Sequence, residues 1–96
     1  MRRDQALNIL RDHADELHRR GVRSLLLYGS LARDQATPHS DVDLLVELDQ
    51  PTGMLGLVAL QQHIEHLLGC RVDLVTQGGL RPHVREHVMK EAIRAA

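Results

Sequence analysis

Two stretches of sequence decide the fold of this 96-residue chain: VRSLLLYGS at residues 22–30 and SDVDLLVEL at residues 40–48. The first is a short apolar run that ends at Gly29, which is typical of a buried strand. In the second, apolar and acidic side chains alternate, which is typical of a strand with one buried face. Too few residues separate the two stretches for a helical crossover, so we expect antiparallel neighbouring strands.

The rest of the chain supplies helices and a third strand. The predicted elements are a helix over residues 4–20, a helix over 54–68, a strand over 71–75 and a last helix from about Pro82. A helix joins the second strand to the third, so these two are expected to be parallel. The fold class is therefore α/β (α+β), a three-stranded mixed sheet with helices packed on one face, in the order αβ(loop)βαβα. The last helix is expected to bury a stripe formed by Val84, Val88, Met89 and Ala92.

Composition limits the class of protein. With 43% hydrophobic and 26% charged residues, residues 1–96 are expected to form a single domain. Aromatic residues make up 1% and the net charge is −1, which argues against strong nucleic-acid binding. The lone cysteine, Cys70, excludes an intramolecular disulfide and suits a reducing compartment. No stretch has the roughly twenty apolar residues of a membrane span, so we expect no membrane partner and a cytoplasmic location.

The first chemical signal is the pair Asp41 and Asp43. As residues i and i+2 of a strand they point to the same face, with Cα atoms about 6.5–7 Å apart. Two neighbouring carboxylates repel each other unless a cation neutralises them. Hard oxygen ligands on a rigid element suit Mg²⁺. Taken alone, however, an Asp-x-Asp pair is more typical of a solvated strand face.

The second signal is the bend at Gly29 and Ser30. Glycine lets the backbone approach a ligand closely, and the following amides and the serine hydroxyl can bind phosphate. Arg33 is near enough in sequence to add a charged contact. The antiparallel return would bring Ser40 and Asp41 back beside this bend, which places phosphate and metal ligands at one end of one hairpin.

The third signal is Asp73. In the third strand the apolar Val72 and Leu74 take the core face, so Asp73 takes the same face as Asp41 and Asp43. Three carboxylates from adjacent strands beside a phosphate-binding bend predict a two-metal site. The plainer interpretation of Asp73 by itself is an exposed strand residue.

The combination of Gly29-Ser30, Arg33, Ser40-Asp41-Val42-Asp43-Leu44 and Asp73 resembles the signature of the DNA polymerase β-type nucleotidyltransferase superfamily. In its size the chain is similar to the minimal nucleotidyltransferases (MNT), which include MntA-like antitoxins of HEPN/MNT toxin–antitoxin pairs. The resemblance covers nearly the whole chain. It departs from the family at Asp34, where members often have glycine.

The resemblance implies a nucleotidyltransferase fold and an enzyme, a protein adenylyltransferase. ATP would be held through its phosphates by Gly29 and Ser30. Asp41 and Asp43 would hold two Mg²⁺ ions, and Asp73 would complete the catalytic metal site and accept the proton of the attacking hydroxyl. Arg33 would offset charge on the leaving pyrophosphate. Ser40 would orient Asp41 or contact phosphate, or it only caps the start of the strand.

The resemblance also implies a partner. The expected reaction is transfer of AMP to a hydroxyl, typically of a tyrosine, on a cognate HEPN toxin, which silences that toxin. One alternative is a non-catalytic antitoxin that neutralises its partner by stoichiometric contact, for which Asp34 is the sequence hint. A second alternative is one subunit of a small-molecule nucleotidyltransferase. The base specificity, the acceptor, the number of AMP units and the homo- or hetero-oligomeric state are left open.

Other polar and aromatic residues are assigned structural roles. The histidines at 63, 66, 83 and 87 have helical spacing that could bind zinc, but exposed helix positions without a metal are the simpler interpretation. Tyr28 is expected to pack in the core. Glu47 is interpreted as a charge at the rim of the acidic face, and Cys70 as a small buried residue.

Overall fold

A mixed four-stranded sheet organises the chain in the computed structural model, which describes residues 1–37 and 39–96. The described elements follow one another as α1 (Arg3–Asp12), α2 (Ala14–Arg19), β1 (Val22–Tyr28), α3 (Gly29–Ala32), β2 (Val42–Leu48), α4 (Met54–Leu68), β3 (Val72–Thr76), a 3₁₀ turn (Gln77–Gly79), α5 (Pro82–Glu91) and β4 (Ile93–Arg94). The predicted bounds of β1 and α4 are confirmed. The predicted loop between β1 and β2 includes Pro38, which lies outside the described residues.

The strands are arranged in the order β3-β2-β1-β4. As predicted, β1 and β2 are antiparallel and β2 and β3 are parallel. The prediction of three strands was wrong, because β4 pairs antiparallel with β1 through Leu26–Arg94 and Leu27–Ile93. A strand of two residues is too short to show an alternating pattern, so only its pairing reveals it.

The predicted single helix over residues 4–20 is two helices. The break lies at His13, whose backbone has φ −105° and ψ 13° and separates α1 from α2. The His13 amide still donates to the carbonyl oxygens of Ile9 and Leu10, both at 3.2 Å. The apolar spacing continues across the break, which is why the sequence pattern predicts one helix.

The main core lies between one face of the sheet and the helices α1, α2 and α4. Its largest fully buried side chains include Leu10, Leu25, Leu44 and Ile64, each at 0% exposure. Gly69 ends α4 in the left-handed conformation with φ +71°, which glycine adopts readily at helix ends. Within residues 1–37 and 39–96, no helix has the length and apolar character to cross a bilayer.

The opposite face of the sheet is partly covered as well. Leu45 points away from the main core, yet it is only 1% exposed, and the buried Val88 of α5 also lies outside the main core cluster. The predicted stripe of α5 was wrong, because Val84 and Met89 are 37% and 46% exposed and Ala92 lies beyond the helix end. The apolar spacing of a short surface helix therefore did not identify which residues it buries.

Candidate active site

Three side chains, which we call the acidic row, lie next to one another near one end of the strands, on the sheet face opposite the main core. Asp43 of β2 is the register partner of Asp73 on β3 and of Tyr28 on β1. Residues directly opposite one another in a sheet point to the same face, with Cβ atoms about 4.5–5.5 Å apart. The sheet therefore places the two predicted carboxylates side by side, with the tyrosine ring next to them.

The predicted glycine–serine bend lies directly against Asp43. Gly29 has φ +76°, a left-handed conformation that favours glycine. A Cβ atom built on Gly29 would overlap Oδ2 of Asp43 and would lie 3.1 Å from its Cγ. A side chain on Gly29 would have to displace this carboxylate, so the bend and Asp43 lie in direct contact, which is the juxtaposition that the hairpin predicts.

Asp41 lies one residue before β2 and is exposed. Its charge still reaches the acidic row. The pKa of Asp43 is raised above its ordinary value, first by partial burial, then by the negative charges of Asp73 and Asp41, while Arg33 partly opposes the shift. The three predicted acidic residues are therefore electrostatically coupled.

Tyr28 is a member of this site that the sequence interpretation missed. Instead of packing in the core, it is half-buried on the acidic face. Burial, followed by the charges of Asp43 and Asp73, raises its pKa to about 12. Strand alternation offered a signal, because Leu25 and Leu27 point into the core and Tyr28, one residue further, must point away from it.

Arg33 follows α3 and pairs with a residue that the sequence did not single out. Its Nη1 donates to Oε1 and Oε2 of Glu91, at 3.0 and 3.3 Å, and its Nε donates to Oε1 of Gln35 at 3.2 Å. Glu91 is the last residue of α5, 58 residues further along the chain. No local pattern could have shown this pair, because it depends on how α5 packs against α3.

Asp34 occupies a position that glycine would fit. It is in the left-handed region with φ 59°. The Gln35 amide donates to the Ser30 carbonyl at 2.8 Å, and the Asp34 amide donates to that of Leu31 at 3.0 Å. These two bonds form a Schellman closure of α3, which normally has glycine at this position. Aspartate tolerates this conformation better than most residues, so the turn keeps its shape.

Ser40 stabilises the turn before β2 through hydrogen bonds to Thr37. Its Oγ accepts a hydrogen bond from the Thr37 amide at 3.0 Å and lies 3.1 Å from Thr37 Oγ1. These bonds agree with the alternative prediction that Ser40 only caps the start of the strand. No hydrogen bond joins Ser40 to the acidic row within the described part of the chain.

The carboxylates suit a divalent cation, although they do not form a closed cluster. Among residues 1–37 and 39–96, no three His, Cys, Asp or Glu side chains are arranged as a ready metal cluster. Mg²⁺ in phosphate-transfer sites commonly takes only one or two carboxylates together with phosphate oxygens and waters. Asp43 and Asp73, which are register partners on neighbouring strands, fit that requirement.

The residues assigned structural roles lie elsewhere. Glu47 pairs with Arg23 at 3.2 Å, which agrees with a charge at the rim. The prediction of an exposed His63 was wrong, because its side chain is 19% exposed and its Nε2 lies 3.0 Å from Oε1 of Glu16. The other three helix histidines are exposed, and Cys70 is half-buried against the core.

Comparisons with known proteins identify the family of this chain. The family model described as a nucleotidyltransferase domain matches residues 7–95. The protein adenylyltransferase MntA of Thermococcus cleftensis is 38% identical over 87 residues, covering 90% of this chain and 88% of that protein. A candidate protein adenylyltransferase of Methanocaldococcus jannaschii is 34% identical over 87 residues, covering 88% of this chain and 89% of that one.

Solved structures have the same fold. A candidate minimal nucleotidyltransferase superposes with a TM-score of 0.84 at 35% identity, over 97% of this chain and 95% of that one. A structure of the tri-AMPylated Shewanella oneidensis HEPN toxin in complex with MNT antitoxin matches with a TM-score of 0.68 at 16% identity, over 94% and 71% of the chains. The second likeness shows the fold alone. On the family match and its relatives, this chain belongs to the nucleotidyltransferase domain family, as an enzyme homologous to the protein adenylyltransferase MntA.

Proposed function

We propose that the chain is a Mg²⁺-dependent protein adenylyltransferase that moves AMP from ATP to a tyrosine hydroxyl of a cognate HEPN toxin and thereby acts as its antitoxin. The observation that carries the proposal is the contact between Gly29 and the carboxylate of Asp43, with Asp73 as the register partner of Asp43. It joins a backbone bend suited to phosphate with a pair of carboxylates suited to a cation.

The bend holds the nucleotide in this proposal. The phosphates of ATP lie against Gly29, where no Cβ obstructs their approach, and the Ser30 hydroxyl and the first amides of α3 donate to them. Arg33 adds positive charge beside the leaving pyrophosphate. ATP is the chosen donor because the MntA relative is a protein adenylyltransferase and because a related toxin–antitoxin structure contains AMP-PNP.

The carboxylates of Asp41, Asp43 and Asp73 hold the cations. When bound, Mg²⁺ ions stabilise negative charge on the attacking and leaving oxygens. The acceptor hydroxyl oxygen forms a bond to the α-phosphorus, and the bond from that phosphorus to the bridging oxygen breaks. Asp73 takes the hydroxyl proton, pyrophosphate leaves with the bridging oxygen, and AMP stays on the acceptor.

The proposed acceptor rests on the relatives. The Shewanella oneidensis structure pairs an MNT antitoxin with a tri-AMPylated HEPN toxin. The site of this chain is consistent with an acceptor on another protein, because Asp73 of the acidic row and the neighbouring Asp41 are both exposed at the surface. A protein side chain can therefore reach the α-phosphate from outside the sheet.

The test is intact-mass analysis of a candidate HEPN-type partner protein, after incubation with this chain, ATP and MgCl₂. The proposal predicts mass additions of whole AMP units with the wild-type chain and none with the Asp41→Ala/Asp43→Ala double variant. Asp12→Ala, an exposed acidic substitution on α1, is the matched control and keeps the activity. Equal additions with wild type and double variant would overturn the proposal. An unmodified toxin that both chains still neutralise would support the non-catalytic alternative.

A further inference from the structure

The Arg33 guanidinium is held by two side chains from different parts of the fold. Glu91 binds Nη1 through both carboxylate oxygens, at 3.0 and 3.3 Å, and Gln35 binds Nε at 3.2 Å. An arginine has five N–H donors in a rigid plane. With Nε and Nη1 engaged, Nη2 is the nitrogen without a partner among residues 1–37 and 39–96. Its two hydrogens are available to an anion.

Glu91 is itself well anchored. It ends α5, and two residues later Ile93 begins β4, which pairs with Leu27 of β1. The Glu91 side chain is 22% exposed, whereas that of Arg33 is 44% exposed. The carboxylate is thus the more buried member of the pair.

The held guanidinium remains close to the acidic site. The Arg33 amide donates to the Gly29 carbonyl at 3.2 Å, and Gly29 lies against the Asp43 carboxylate. Because one charge of Glu91 neutralises one charge of Arg33, freeing the arginine would raise the local positive charge. The freed Arg33 side chain would also populate many rotamers. A ligand that re-orders this side chain would lose binding free energy.

We propose that Glu91 is a positioning residue for nucleotide binding: it fixes the Arg33 guanidinium so that Nη2 faces the phosphates of the nucleotide. This inference rests on the proposed function, because it takes those phosphates to lie at the bend after β1. It adds α5, which carries none of the predicted site residues, to the parts of the fold that determine nucleotide affinity.

The test is calorimetric titration of the full chain with AMP-PNP in MgCl₂. Glu91→Ala is expected to weaken binding by about threefold to tenfold, the cost of re-ordering one long side chain. Glu91→Gln keeps the shape and one acceptor oxygen, so a smaller loss is expected. Glu91→Ala in an Arg33→Ala background is expected to cause no further loss, because its effect passes through Arg33.

The control is Glu86→Ala, an exposed acidic position on the same helix, which should bind AMP-PNP as the wild type does. Unchanged or tighter binding by Glu91→Ala would overturn the inference, as would an equal loss in the Arg33→Ala background. If Glu91→Ala does not fold, Glu91→Gln is used instead. Weaker AMP-PNP binding than the wild type then supports the inference, and unchanged or tighter binding overturns it. A wild-type chain that binds no nucleotide would overturn the proposed function and this inference together, whereas wild-type binding with an unaffected Glu91 variant overturns the inference alone.

Discussion

Gly29 lies so close to Asp43 that a single added carbon atom would overlap the carboxylate oxygen Oδ2. The contact joins the end of β1 to the start of β2, which are paired through Tyr28 and Asp43. It sets the distance between the bend that we propose to bind phosphate and the Asp43 carboxylate that we propose to bind a cation. The proposed chemistry therefore depends on a glycine as much as on the aspartates.

Gly29→Ala should abolish most adenylyl transfer. The left-handed backbone costs a residue with a Cβ about 1–2 kcal/mol, and the new methyl group must displace the Asp43 carboxylate. Gly69→Ala is the matched control, because Gly69 has φ +71° but no atom within 4 Å of an added Cβ. Both variants should lose about 1–2 kcal/mol of unfolding free energy in urea titrations. Only Gly29→Ala should lose transfer activity at a temperature where both are folded, and full activity in it would contradict the account.

Tyr28 is the only tyrosine of a chain without tryptophan, so its ionisation can be followed by absorbance. Its pKa of about 12 predicts that the folded chain forms less phenolate at about pH 11 than the chain unfolded in urea. Asp43→Asn should increase the phenolate fraction, because it removes one of the two charges that raise this pKa. Asp12→Asn should leave it unchanged. Circular dichroism confirms that the fold persists, and a Tyr28 titration insensitive to Asp43→Asn would contradict the arrangement.

Asp43→Asn should stabilise the fold at neutral pH while it abolishes transfer. Because the folded chain holds the Asp43 proton more tightly than the unfolded chain, the folded state binds more protons from near the ordinary value of 3.8 up to the raised pKa. The free energy of unfolding contributed by Asp43 therefore falls as the pH rises through that range. The gain in Asp43→Asn is expected to be below about 1 kcal/mol, since solvent screens this partly exposed carboxylate.

Urea titrations at several pH values test this prediction. The difference between Asp43→Asn and wild type should be present at pH 7 and should shrink on acidification below the ordinary pKa of 3.8. Adding MgCl₂ should stabilise the wild type more than the variant, because a bound cation offsets the repulsion. A variant less stable than wild type at neutral pH would show that burial and neighbouring charges do not destabilise the ionised Asp43.

Asp34 adds a negative charge beside the bend without distorting the turn. Asp34→Asn removes this charge and keeps a residue that tolerates φ 59°, whereas Asp34→Gly also removes the backbone strain. Both should tighten AMP-PNP binding by about twofold to fivefold, which is the effect expected from removing one partly screened charge. Weaker binding by Asp34→Asn in calorimetry would show that Asp34 assists the nucleotide.

The placement of Asp43 and Asp73 beside Gly29 was predictable because its signals are local. Strand alternation places Asp43 and Asp73 on one face, and the hairpin returns Asp43 to Gly29. The break at His13 could not be predicted in this way, since the apolar spacing continues through it.

Contacts between segments that are distant in sequence could not be predicted from the sequence pattern. The two-residue strand β4 has no periodicity of its own, and α5 buries Val88 rather than the full stripe that its spacing suggests. The Arg33–Glu91 pair depends on both, because β4 and α5 together place Glu91 beside α3. The sequence alone did not distinguish the partly buried Glu91 from the exposed acidic residues of the chain.

The most direct test of the central claim, that the bend and the acidic row form one cation-dependent nucleotide site, is calorimetric titration of AMP-PNP with and without MgCl₂. The wild-type chain and an Asp43→Asn/Asp73→Asn variant are compared, each checked for folding by circular dichroism. The account predicts binding by the wild type that requires MgCl₂ and is lost in the variant. Equal affinity without MgCl₂, or undiminished affinity in the variant, would contradict it.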